Sequence, residues 1–294
     1  MTLYIIGNGF DIAHGIKCKY SDFGDFLGEN YSGYYESVVN AYCHSNYLWK
    51  DFESELPSCA THIEEWGLQM GNEMRDEIDY DPMDDMGIGR WLDSQFNFLN
   101  KLPKYLRLWV ESIDVNKSAV YKIKSDALFL NFNYTATLEN VYSIDPDNVK
   151  HIHGFVENKK ETLVLGHCNQ QTISYAQKKK QESQEAFLDH AISTFDRVAK
   201  YCETTLKRTE KIIKDNLRFF EQLSDIDEVI VIGHSFGKVD MPYFKKVLDS
   251  ISDNANWIAY YFEETDQTKF ENSLLDLDVR KENISVRKTT ELFL

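Results

Sequence analysis

Short apolar runs that end in glycine or in clustered polar residues recur along the chain. They alternate with longer stretches in which apolar residues return every three or four positions. Leu3 to Ile6 is the first such run, bulky and β-branched without a polar interruption, as a short buried strand requires. Strand character returns at ALFLNF (127–132), around VKHIHG and TLVLG, at Val229 to Ile232, in WIAYYF (257–262) and in ISVRK (284–288). SDFGDFL predicts a helix start with Ser21 as its N-cap. Helical periodicity dominates from about Tyr31 to Ile123, including WKDFESEL (49–56) and 96–113, then over roughly 174–222 and near 242–250. Strands alternating with helices predict an α/β fold: a mostly parallel, Rossmann-like sheet with helices on both faces. Neither a repeat nor a low-complexity linker divides the chain, so 1–294 reads as one domain, with 31–123 as a helical insertion packed on the sheet. Trp49, Phe52 and Leu56 within it form a core stripe, and Glu53 beside them defaults to a salt bridge.

Composition narrows the function classes. The 294 residues are 43% hydrophobic and 14% aromatic, ample for a core. No apolar stretch approaches the roughly 20 residues that span a bilayer, and no signal segment is expected at the N-terminus. Five scattered cysteines without a C-x-x-C pair fit a reducing compartment, the cytoplasm, with neither disulfide framework nor zinc ribbon. A net charge of −16 argues against broad nucleic-acid binding and against a nuclease. The acidic stretch 73–86 and the lysines at 178–180 read as solvated faces.

In a parallel sheet, ligands lie beyond the carboxyl ends of the strands, and there the sequence concentrates its unusual polar residues: GNGFD, FNYT, HIHG, LGHCN and IGHSFG. Gly7-Asn8-Gly9-Phe10-Asp11 after the first strand is either a tight turn or a cradle of backbone N–H groups for a phosphate. GHSFG (233–237) matches a nucleophile elbow, but none of the eight histidines follows Ser235, so the order Ser, acid, His is impossible and a serine hydrolase, the less favoured alternative, would need a rearranged triad. Gly233, His234 and Ser235 fit a turn touching ribose or phosphate better. His151 and His153 project from one side of an extended segment, but no carboxylate or cysteine cluster completes a metal site. Asn133 and His153 follow strands directly. Each has a structural alternative, a loop-bonded amide and a satisfied buried histidine, and their recurrence on several strand ends favours a nucleotide site.

IGNGFDIAHGIKCKYSDF, WKDFESEL, NFNYTATLENVY, HIHG, LVLGH and VIGHSFGKVDMPYF resemble the bacterial abortive-infection AbiH family, which is associated with defence against bacteriophage. More distantly, Gly7, Gly9, Gly15 and Ile16 are spaced as in the sirtuin signature G-A-G-x-S-x-x-x-G-I-P. Asn133-Tyr134-Thr135, His153-Gly154 and Gly233 to Ser235 follow in the sirtuin order. That resemblance implies a sirtuin-like fold binding NAD, with the glycines at the diphosphate, Asn133 and His153 near the nicotinamide ribose, and the late turn near the adenosine ribose. Asp11 replaces the signature serine, Lys17 the proline, and Thr135 stands where an aspartate is common. The four-cysteine zinc module is absent, which turns the implication from protein deacylation toward NAD hydrolysis.

The resulting expectation is an NAD glycohydrolase with Asn133 and His153 as catalytic residues, NAD as substrate and no metal. Gly7, Asn8, Gly9, Phe10, Asp11, Gly15, Gly233, His234 and Ser235 would contact the nucleotide. A non-catalytic sensor of NAD or ADP-ribose is the alternative. A phage-derived trigger or partner protein, homo-oligomerisation and the roles of His167 and Glu53 stay open. Asp11 is expected to turn away from the diphosphate, where its charge would be repelled.

Overall fold

A computed structural model describes residues 1–43, 45–75 and 83–294. His44 and residues 76–82 of the acidic stretch 73–86 therefore lie outside what is described.

The chain forms two compact units. The first comprises Met1–Lys19, Arg107–Val164 and Arg208–Leu294. It holds six strands: β1 (Thr2–Ile6), β2 (Leu128–Asn131), β3 (Val149–His151), β4 (Glu228–Ile232), β5 (Asn256–Tyr261) and β6 (Ile284–Lys288). All pair in parallel, in the order β3-β2-β1-β4-β5-β6. Every residue of β1 is buried because strand side chains alternate between two covered faces. Leu3 and Ile5 enter one core with Val229, Val231, Trp257 and Ala259, covered by Tyr243 and Phe244 of the helix Met241–Leu248 and by Phe270 and Leu274 of the helix Glu264–Asp276. Tyr4 and Ile6 enter the other with Phe129, Ile230 and Ile232, covered by Phe10 of the helix Asn8–Ala13 and Leu138 of the helix Thr137–Tyr142. Burying each large apolar side chain contributes about 1.5–3 kcal/mol, so the apolar runs settle as central strands.

Two sequence expectations need correction here. Ser21 is not an N-cap, because the helix already begins at Tyr20. TLVLG (162–166) is not a strand: Val164 donates its N–H to the His153 carbonyl (2.7 Å) and accepts the Tyr134 hydroxyl (2.6 Å), which leaves no backbone group for a ladder.

The second unit, Tyr20–Leu106 with Leu165–Lys207, contains helices and no strand among its described residues. Phe52 and Leu56 are buried in it, and Trp49 stacks on Phe52 at 5.3 Å. Gly71 lets the helix Ser58–Arg75 approach the helix Asp189–Thr205 closely; a Cβ there would lie 2.3 Å from the His190 ring. No helix of the described residues is long and apolar enough to cross a membrane.

Candidate functional site

Strand register sets the position of the polar residues. His151, Asn131, Ile6 and Ile232 form one row across β3, β2, β1 and β4. The ladder extends one residue further through the N–H groups of Ile152, Phe132 and Gly7. The next positions are His153, Asn133, Asn8 and His234, at the carboxyl edge of four adjacent strands. The connections from β1 and β4 run to opposite sides of the sheet, which makes β1/β4 the switch point where ligands of such folds bind.

At that point the edge is closed by backbone against backbone. Gly7 N–H donates to Ile232 O (3.0 Å), Gly9 N–H to Gly233 O (2.8 Å) and Phe10 N–H to Gly7 O (3.0 Å). A Cβ on Gly9 would lie 2.8 Å from Gly233 Cα, and one on Gly233, whose φ is +69°, would lie 2.1 Å from Phe10 N. These glycines allow a contact that side chains would forbid, and the Gly7, Gly9 and Phe10 N–H groups of the expected phosphate cradle are engaged within the protein. Gly15 ends the helix Asn8–Ala13: at φ +71° it donates to Ile12 O while Ile16 donates to Asp11 O, the paired bonds of a left-handed helix stop. Phe10 is core, packed against His14, Tyr121 and Tyr142. Asn8 is exposed and its amide donates to Cys18 O (3.2 Å). His14 is structural. Tyr142 accepts the N–H groups of Val120 and Tyr121, which directs its own hydroxyl proton to His14 Nε2 (2.8 Å), and Nδ1 then donates to Phe10 O (2.8 Å). Burial lowers the His14 pKa, in keeping with a neutral ring.

Two polar clusters occupy the edge. In the first, Asp11 is 1% exposed and accepts the Thr135 hydroxyl through Oδ2 at 2.5 Å, while its buried Oδ1 has no hydrogen-bond partner. Burial raises its pKa to about 6, opposed by Thr135, Thr137, Asn133 and the charge of His151. Asn133 takes part through a backbone N–H to Asn131 Oδ1 (3.0 Å) and an amide to Gly7 O (3.1 Å). His151 faces Asn133 O with Nδ1 (2.9 Å) and Glu139 with Nε2 (2.8 Å). The Asn131 amide also reaches His151 Nδ1, at 3.5 Å.

The second cluster contains His153, which lies in a turn two residues beyond β3 rather than at its end and is 5% exposed. His153 Nε2 is 3.3 Å from Asp240 Oδ1, and His234 Nε2 is 3.4 Å from Asp240 Oδ2. Gly154, next in the chain, has φ +93°, and a Cβ there would lie 2.8 Å from the Thr162 carbonyl oxygen, so the glycine serves close backbone packing. His151 and His153 thus turn to different carboxylates instead of converging, and no group of three or more His, Cys, Asp or Glu suited to a metal exists among the described residues. Ser235 is exposed, three residues beyond β4.

The structure therefore links the strand-end residues through the Gly7–Asn133, Gly9–Gly233 and His153–Asp240–His234 contacts. Asp240, Glu139 and Thr137 escaped the sequence reading. Asp240 carried one signal: before Met241-Pro242 it reads as a helix cap, yet its side chain makes no cap bond. In the helical unit, Glu53 accepts the Lys207 ammonium (3.0 Å) and Gly166 N–H (3.2 Å). His167 accepts Asn169 N–H at Nδ1 and faces Cys202 O and the Thr205 hydroxyl with Nε2, a neutral tautomer whose pKa burial lowers.

Among curated proteins and among solved structures nothing matches the chain, sirtuins included. The family model described as bacteriophage abortive infection AbiH matches residues 3–261, from β1 through β5. The chain belongs to the AbiH family of bacteriophage abortive infection.

Proposed function

We propose that this abortive-infection protein hydrolyses NAD at the bond between nicotinamide and ribose. The observation that carries the reading is the buried His153 imidazole beside the Asp240 carboxylate, at the sheet edge that also bears Asn133 and the β1/β4 switch point. The C–N bond breaks with its electron pair leaving on neutral nicotinamide, and the ribose passes through a cationic, oxocarbenium-like transition state. Water bonds to the ribose carbon, and its proton passes to His153, an imidazole being the side chain that most readily takes a proton near neutral pH. Asn133 orients the water or the nicotinamide amide, and Ser235 faces the adenosine ribose. The acidic surface agrees with a small substrate rather than a polymer.

The test is incubation of the purified protein with NAD, with and without phage components, followed by chromatography for nicotinamide and ADP-ribose. Replacing His153 by Ala should lower release by about 100-fold or more, the scale of a lost general base, without loss of the fold. Equal release by both proteins rules His153 out as the base.

One observation favours a second reading, a non-catalytic sensor of NAD or ADP-ribose. The Gly7, Gly9 and Asn133 donors are all engaged inside the protein, so a ligand must open the edge to enter, and such opening is a signal in itself. Nucleotide binding without nicotinamide release would select it.

A further inference from the structure

We infer that Asp240 is a positioning residue for His153 and that His234 serves to hold Asp240 rather than to touch the ligand; this rests on the proposed NAD-cleaving site. One chain of contacts joins the three residues. Phe236, at φ +55°, donates its N–H to His234 Nδ1 at 3.0 Å. An imidazole that accepts at Nδ1 carries its proton on Nε2, and His234 Nε2 points at Asp240 Oδ2, 3.4 Å away. The other oxygen, Oδ1, is 3.3 Å from His153 Nε2. One carboxylate therefore stands between two imidazoles, within ion-pair distance of the Nε2 of each. Phe132 fixes both rings from the side, with centroids 5.1 Å from His153 and 4.6 Å from His234. The His153 contact lacks hydrogen-bond geometry in the free protein and the His234 contact is long, as catalytic contacts often are before substrate tightens them.

The local chemistry points the same way. Asp240 occupies the N-cap position of the helix Met241–Leu248 without a cap bond, although a capping aspartate there would typically be worth about 1 kcal/mol. Its side chain is instead turned to the imidazoles. A carboxylate in that position orients the His153 ring, and it stabilises the imidazolium that forms when His153 takes the proton of water.

The variant Asp240→Asn separates positioning from packing because it is nearly isosteric. His234 still accepts Phe236 N–H and still presents an Nε2 proton, so the asparagine must offer its carbonyl oxygen to His234. Its amide NH2 is then left facing His153, where it donates to Nε2 and drives the proton of His153 to Nδ1.

The experiment is a long-range proton–nitrogen NMR spectrum of the imidazoles in the wild type and in Asp240→Asn, with His153→Gln and His234→Gln spectra as assignments. Expected in the wild type are Nε2 protons on both rings; in Asp240→Asn the His153 proton moves to Nδ1 while His234 is unchanged. Turnover of NAD by the variant should fall about 100-fold in kcat with KM within about threefold. A wild-type His153 whose neutral form carries its proton on Nδ1 overturns the inference, and that spectrum decides even if the variant fails to fold. An Asp240→Asn spectrum with unchanged His153 signals overturns it as well. If the imidazole signals behave as expected while the wild type releases no nicotinamide, the positioning role stands and the NAD-cleaving reading falls.

Discussion

Asp11 gives the sharpest energetic prediction, because the opening stretch buries a carboxylate with one oxygen unsatisfied. Its pKa rises from an ordinary 3.8 to about 6. Below the lower value the folded and unfolded chains both hold the proton, and Asp11 costs nothing. Between the two values only the folded chain holds it, so stability falls as pH rises, and above about 6 the penalty is complete. A difference of about two pH units, at about 1.4 kcal/mol each, makes that penalty about 3 kcal/mol. Asp11→Asn removes the titration while its carbonyl oxygen can still accept the Thr135 hydroxyl. Any fixed cost of the buried amide is the same at every pH, so the test is the change in the mutant's relative stability. Urea unfolding of both proteins at about pH 4 and about pH 7.5 should show the variant gaining about 2.5 kcal/mol on the wild type between the two conditions. A gap that stays constant within about 0.5 kcal/mol would mean that Asp11 titrates normally, and the reasoning from its burial would fail.

Gly233→Ala should destabilise strongly, by about 3 kcal/mol or more, and lower Tm in calorimetry, because its Cβ would meet Phe10 N at 2.1 Å in a left-handed backbone; an unchanged Tm would mean that the β1/β4 edge is not closed as described. Ser235→Ala should leave stability within about 0.5 kcal/mol and weaken NAD binding more than turnover, since the side chain is exposed. Lost turnover with unchanged affinity in the variant, together with an acyl intermediate trapped on Ser235 of the wild type, would revive a serine-hydrolase reading. Asp11→Asn should keep nucleotide affinity within about tenfold, the scale of one charged hydrogen bond, by calorimetric titration; a large gain would mean that Asp11 repels the phosphates.

The sheet was legible because central parallel strands are buried on both faces and read as unbroken apolar runs, as at Thr2–Ile6 and Glu228–Ile232. The same signal misled at 162–166, where the apolar run is held by partners remote in sequence: Tyr134 for Val164, Glu53 for Gly166. No local pattern announces such partners. The strand-end polar residues were visible as types but not as contacts. A glycine that serves close backbone packing reads like one that serves a phosphate, and only the engaged N–H groups of Gly7 and Gly9 tell them apart. Asp240 was hidden for the opposite reason, because an aspartate before Met-Pro already has an ordinary explanation as a helix cap.

The family role in phage defence and the proposed chemistry at the sheet edge meet in one quantity, the level of NAD during infection. In bacteria expressing the wild-type protein, NAD should fall after infection while nicotinamide and ADP-ribose rise in equal amounts, and His153→Ala should hold NAD at the level of uninfected cells and lose protection. Protection by the wild type with NAD unchanged throughout infection would contradict the account.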